Sequence, residues 1–158
     1  MKDEIVQMQC KNCSMSTTNV DFNVKTTISR CPQVLTIQLK SFSFAFGAVR
    51  GQKLMDSVFC LNELKLPIND DTAIATYTHR ATVSHVGLHA DDGHYVTYKR
   101  ASEGRCFKTN DAEVTEMTNA HFEKAALQGD SRTHETPYIL IYDLVGICPI
   151  SKATLAHK

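Results

Sequence analysis

Apolar and polar residues alternate with a period of two through most of the chain. Leu35, Ile37 and Leu39 fall on one side of a segment and Thr36, Gln38 and Lys40 on the other, the pattern of a half-buried strand. Phe22, Val24, Thr26 and Ile28 predict a strand just before it, and Cys31-Pro32 punctuates the gap. Tyr77, His79, Ala81, Val83 and His85 share one predicted face of a long segment ending at Gly87, and His94, Val96 and Tyr98 share a face of the next. Pro137 to Val145 reads as a short, strongly apolar strand. One helix is predicted, from Asn119 to Gln128. Asn119 stands where a cap belongs, Gly129 where a helix stops, and Phe122, Ala125 and Ala126 recur at helical spacing. Loops are expected at Gly47 to Gly51, Ile68 to Asp71, Leu88 to Gly93 and Gly129 to Thr136. The pattern predicts one α+β unit, mostly antiparallel β with one short helix.

Composition narrows the partners. The chain has 158 residues, about the size of one domain, with 17 lysines and arginines against 17 aspartates and glutamates. It has no basic run of the kind that pairs with phosphate backbones or anionic lipid, so neither nucleic acid nor a membrane is an expected partner. Met1-Lys2-Asp3-Glu4 puts acid where an export signal carries base, and no apolar stretch follows. The longest apolar segment, Tyr138 to Ile150, is broken by Asp143 and is shorter than the roughly 20 residues of a spanning helix. Six cysteines spread from Cys10 to Cys148 then read as reduced thiols, and the expected address is intracellular, in cytoplasm or nucleus.

Candidate chemistry gathers around Gly93-His94-Tyr95. Glycine before the histidine permits unusual backbone angles and leaves room for a substrate chain, so His94 is expected to face a cleft. An imidazole base needs a partner that fixes its tautomer, and Asn110 or Asp111, just past the next predicted hairpin, can supply it. The Ser102-Glu103-Gly104 turn would let Cys106 to Thr109 return antiparallel and bring Asn110 beside His94. A structural histidine at the head of a strand is the plainer reading of the same spacing.

Four segments in order, VLTIQLKSF at Val34 to Phe42, HVGLHADDGHYVTYKR at His85 to Arg100, CFKTNDAEVTEM at Cys106 to Met117 and PYILIYDL at Pro137 to Leu144, resemble the C-terminal half of the ubiquitin-specific protease catalytic domain. The resemblance implies the palm and part of the fingers of a papain-like cysteine peptidase fold over residues 1–145, followed by a tail at 146–158. It implies thiol-dependent hydrolysis after the C-terminal glycine of ubiquitin, with ubiquitin or a ubiquitinated protein as partner. His94 corresponds to the general base, Asn110 to the residue that orients it, and Asp111 to a supporting polar neighbour. Leu88 to Gly93 resembles the flexible loop over the channel for the ubiquitin tail, with Asp91, Asp92 and Gly93 lining it; an ordinary solvated loop is the alternative. Cys10 and Cys13 resemble one of two cysteine pairs that hold a structural zinc in the fingers. A zinc wants four ligands, so the pair is half a site, and no cofactor is required for catalysis. A zinc held instead by His85, His89 and His94 is set aside because His85 is expected in the core and His89 in the loop.

The pattern breaks at the nucleophile. The family's catalytic cysteine starts a long helix behind a glycine- and asparagine-rich segment, and no such segment occurs among these residues. Cys10 and Cys13 take the finger position, Cys31 and Cys60 fall in connections, Cys106 stands where the family more often has tryptophan, and Cys148 follows the last matching strand. General-base help without a thiolate leaves only water to attack, so the chain by itself is expected to be inactive. His79, at a position where the family favours leucine, and Ser41, in place of a common arginine, are smaller departures. A non-catalytic ubiquitin-binding or scaffold module and a truncated gene product are the rival readings.

Overall fold

The computed structural model describes residues 4–8, 20–43, 46, 51–54, 59–68 and 72–150. In chain order the strands are β1 (Glu4–Met8), β2 (Val20–Val24), β3 (Val34–Gln38), β4 (Phe42–Ser43), β5 (Gln52–Lys53), β6 (Glu63–Ile68), β7 (Ala73–Val86), β8 (His94–Arg100), β9 (Cys106–Asn110) and β10 (Glu113–Met117). Helix α1 (Asn119–Gln128) precedes the last strand, β11 (Glu135–Pro149).

The sequence of β7, AIATYTHRATVSHV, is rich in β-branched and aromatic residues that suit a central strand. It is the hub of a seven-stranded antiparallel sheet in which six strands run in the order β10-β9-β8-β7-β11-β3 and the seventh, β6, pairs with β7 off that path. β11 pairs along one edge of β7 from end to end. The other edge is shared, with β6 taking Ala73 to Thr78 and β8 taking Ala81 to Val86. β1 with β2 and β4 with β5 form separate antiparallel pairs.

Alternation along β7 breaks at Arg80. Tyr142 pairs with His79 and Ile141 with Ala81, so Arg80 is an extra residue with nothing opposite it on β11. An inserted residue reverses the inward and outward sense of every position beyond it. The predicted common face of Tyr77, His79, Ala81, Val83 and His85 is therefore divided. Tyr77 and His79 lie with Thr82 and Ser84, and His79 Nε2 meets Thr82 Oγ1 at 2.7 Å; Ala81, Val83 and His85 face the other way.

Other expectations shift at element ends. The strand predicted through Ile28 stops at Val24, where its pairing with β1 ends opposite Glu4. The last strand is longer than Pro137 to Val145, reaching 15 residues because register shifts beside Tyr138 and Val145 let it follow the whole of β7. The helix has the expected span, but its cap is Thr118, in extended conformation, whose side chain accepts from His121 N at 3.3 Å. Asn119 is used elsewhere, accepting from Cys106 Sγ at 3.0 Å and from Arg100 Nη1 at 3.2 Å. Gly129 ends the helix as predicted, with φ 73° and its N–H on Ala125 O.

One face of the sheet carries the core. Ile68, Ala73, Ala75, Tyr77, Leu140 and Tyr142 form one cluster with Leu35, Ile37, Leu64 and Leu66 against it. Val96, Tyr98, Cys106, Phe122 and Ala126 form a second, where α1 lies on the sheet. On the opposite face the ring of Phe42, from β4, stands edge-on to buried His85 at 5.3 Å, and Tyr95 stands edge-on to it at 5.1 Å.

Candidate active site

His94 opens β8 opposite Val86, and Asn110 closes β9. β8 and β9 return antiparallel with Thr97 opposite Thr109, and this register carries Asn110 back to the start of β8, as the spacing predicts. His94 Nε2 and Asn110 Oδ1 are hydrogen-bonded. A carboxamide oxygen only accepts, so the ring donates from Nε2 and, when neutral, keeps its lone pair on Nδ1. Asp111, at φ 51° in the two-residue turn between β9 and β10, brings its carboxylate to 3.8 Å from the same nitrogen. All three candidate side chains are thus brought together. The His94 side chain is 42% exposed, so the expected cleft is not closed around it by the described residues.

Gly93 has φ 117°, and a Cβ there would stand 2.5 Å from Val86 O and 2.6 Å from His85 Nε2. Only glycine fits without movement. Asp91 and Asp92 are exposed on the loop just ahead of it, and Asp92 contributes its carbonyl as acceptor for His85 Nε2 at 3.0 Å. Burial lowers the His85 imidazole below its ordinary range, against the bond to Asp92, which raises it.

The 87–93 loop is held from the side of β5 as well. Ala90 N donates to Gly51 O at 3.3 Å, and His89 bridges Gln52. Lys53, 3% exposed, donates from Nζ to His85 O at 2.8 Å, Gly87 O at 2.9 Å and His134 O at 2.6 Å. Burial pushes its ammonium below the usual lysine range, and the nearby Glu135 carboxylate pushes it back up. Lys53 carries no signal in the sequence, because a lysine between glutamine and leucine reads as surface. Only the packing of the β4–β5 hairpin against the end of β7 buries it.

None of the four cysteines in the described residues suits a nucleophile for His94. Cys106 lies four positions before Asn110, about 13 Å along an extended strand. It is 1% exposed, and burial pushes its thiol above the ordinary range. Cys31 and Cys60 pack against the core cluster of Tyr77 and Tyr142, and Cys148 pairs opposite Ile74 at the far end of β7. Cys10 and Cys13 lie outside the described residues. Among the described residues no three His, Cys, Asp or Glu side chains are grouped to hold a metal. The adjacent pairs His85 with Tyr95 and Val86 with His94 put His85 and His94 on opposite faces of the sheet. No helix among the described residues is long and apolar enough to cross a membrane.

A family model described as ubiquitin carboxyl-terminal hydrolase matches residues 3–142. Among curated human proteins, the chain is 35% identical over 92 residues to ubiquitin carboxyl-terminal hydrolase 17, covering 56% of this chain and 17% of that protein. It is equally similar, 35% over 92 residues, to the human inactive ubiquitin carboxyl-terminal hydrolase 17-like protein 4. The chain thus spans about one sixth of the length of these relatives. Among solved structures, a yeast SAGA DUB module superposes with TM-score 0.69 at 24% identity, covering 92% of this chain and 31% of the other. A Ubp8/Sgf11/Sus1/Sgf73 module bound to ubiquitin aldehyde gives TM-score 0.68 at 24% identity, with 92% and 32% covered. At such identities the likeness establishes fold, and it agrees with the expected antiparallel β portion of a papain-like peptidase with one helix.

Proposed function

Because the chain belongs to the ubiquitin carboxyl-terminal hydrolase family, we propose that it supplies the base-bearing half of a deubiquitinase site, with His94 as general base and Asn110 as the residue that orients it. The observation that carries this reading is the His94 Nε2 to Asn110 Oδ1 hydrogen bond, which leaves the Nδ1 lone pair to accept a proton. Asp111, with its carboxylate 3.8 Å from Nε2, is the polar neighbour beside the pair. Asp91, Asp92 and Gly93, immediately before His94, would border the ubiquitin tail.

In the reaction, His94 takes the proton of a thiol, and the thiolate attacks the carbonyl carbon of the terminal glycine of ubiquitin. The imidazolium returns its proton to the leaving amine as the thioester forms. His94 then deprotonates water, which attacks the thioester and releases ubiquitin with a free carboxylate and the thiol restored. The thiol is not one of the four described cysteines, so these residues alone are inactive and turn over only when a thiol is presented to Nδ1. Structural zinc belongs to a complete fingers region; Cys10 and Cys13 would supply two of its four ligands.

A second reading, a non-catalytic ubiquitin-binding module, is favoured by the open surface at His94 and by equal similarity to a relative named inactive. Two measurements test the pair. A ubiquitin carrying a C-terminal thiol-reactive warhead should leave the chain unlabelled, and labelling at any cysteine would overturn the assignment of the thiol to another segment. In an NMR titration ubiquitin should shift the amides of Gly93 and His94. No perturbation at millimolar ubiquitin removes both readings.

A further inference from the structure

We propose that Lys53 is a positioning residue: its buried ammonium clamps the mouth of the β7–β8 hairpin and so keeps His94 in register with Asn110. The carbonyls it gathers come from three places, the end of β7 (His85), the first loop residue (Gly87) and the turn before β11 (His134). An ammonium has three N–H donors, and all three are used. His134 adopts φ 53°, and its carbonyl also accepts from Gly87 N at 3.2 Å, so the same oxygen ties loop and lysine together.

The position of the clamp gives it a consequence for the site. Val86 and His94 are the last register pair of the hairpin, and a seven-residue connection, 87–93, follows. A terminal pair beside a loop of that length is where a hairpin frays first. Lys53 grips the residues on either side of Val86, and across the loop the Gly87 and Gly93 backbones come so close that a Cβ on Gly87 would stand 3.0 Å from Gly93 Cα. Fraying of the pair would carry His94 away from Asn110, whose strand is held by Thr97 to Arg100 farther along β8 and by β10. A neutral side chain at position 53 leaves three carbonyls with one partner fewer, and the loop keeps only the backbone contacts of Ala90 with Gly51 and of His89 with Gln52 on that side.

This inference rests on the His94–Asn110 reading for its meaning, but it is tested without ubiquitin. In the full chain, 15N NMR of His94 should show a protonated Nε2 and a bare Nδ1. In Lys53→Met the two tautomers should mix, and amides of residues 87–94 should exchange about tenfold faster or more, beyond any change at Leu140 and Tyr142 in β11. Ile68→Ala, a core truncation remote from the loop, is the control: it should lower stability and leave the His94 tautomer as it was. If Lys53→Met does not fold, Lys53→Arg carries the same comparison, because its planar fork keeps the charge but not the three-way donor geometry. An unchanged tautomer with loop exchange that only follows the core overturns the clamp, as does an equal tautomer change in Ile68→Ala. Failure to bind ubiquitin with the exchange contrast intact removes the functional reading and leaves the clamp standing.

Discussion

His79 makes this protein sensitive to mild acid in a way that one substitution should remove. Its imidazole is 1% exposed, set between the rings of Phe122 and Tyr142, with Nδ1 buried and unpartnered and Nε2 on Thr82 Oγ1. Burial pushes its pKa down from 6.5 to about 4, opposed by the neighbouring Ala81 backbone and assisted by the positive charge of Arg100. Above 6.5 the ring is neutral in folded and unfolded chains alike, and stability does not depend on its proton. Between 6.5 and about 4 the unfolded chain binds a proton that the fold refuses, so stability falls as pH falls. Below about 4 both states are charged and the loss is complete. At about 1.4 kcal/mol per pH unit, the interval from 6.5 to about 4 amounts to about 3 kcal/mol.

His79→Leu fills nearly the same space without the titrating group. Its effect on Thr82, which loses a partner, is a constant offset of about 1 kcal/mol at every pH. The depressed His85 titration and the surface carboxylates are present in both chains and cancel in the difference. Urea unfolding of both proteins across about pH 7 to about pH 4 should therefore show the leucine variant gaining on wild type by about 3 kcal/mol, most of it between 6.5 and about 4. A stability difference that stays flat across that window refutes the burial argument.

Further outcomes follow from other parts of the fold. Gly93→Ala should destabilise by about 1–3 kcal/mol from backbone strain at φ 117°, with more from contacts at 2.5 Å and 2.6 Å, and should weaken the His94–Asn110 bond; denaturation with wild-type stability would contradict the contact geometry. Phe122→Ala empties the centre of the second core cluster and should cost about 3–5 kcal/mol by urea unfolding. A thiol reagent should modify exposed Cys148 quickly in the native chain and Cys106 only on unfolding, read by mass spectrometry; rapid native labelling of Cys106 would place its thiol at the surface and reopen its candidacy as nucleophile.

The candidate site was legible in the sequence because it is assembled by short-range geometry. A strand, a tight turn at Ser102-Glu103-Gly104 and a returning strand bring residues 16 positions apart side by side, and Gly93 announces the close approach at its head. Helix α1 was legible for the same reason, down to Gly129; its cap was not, since Thr118 and Asn119 are both competent and the choice fell to the contacts of Asn119 with Arg100 and Cys106.

What the sequence by itself determined, then, is the antiparallel β character, the single helix and the meeting of His94 with Asn110, all set by periodicity and by neighbours along the chain. Only the tertiary structure decided that Arg80 bulges out of β7, turning His85 away from the face that holds His79, and that Lys53 is buried at the mouth of the β7–β8 hairpin. The bulge exists because β11 offers one position fewer than β7 at that point, and the lysine is buried because three carbonyls distant in sequence converge on it. Both depend on pairing partners far along the chain, which a local pattern does not encode.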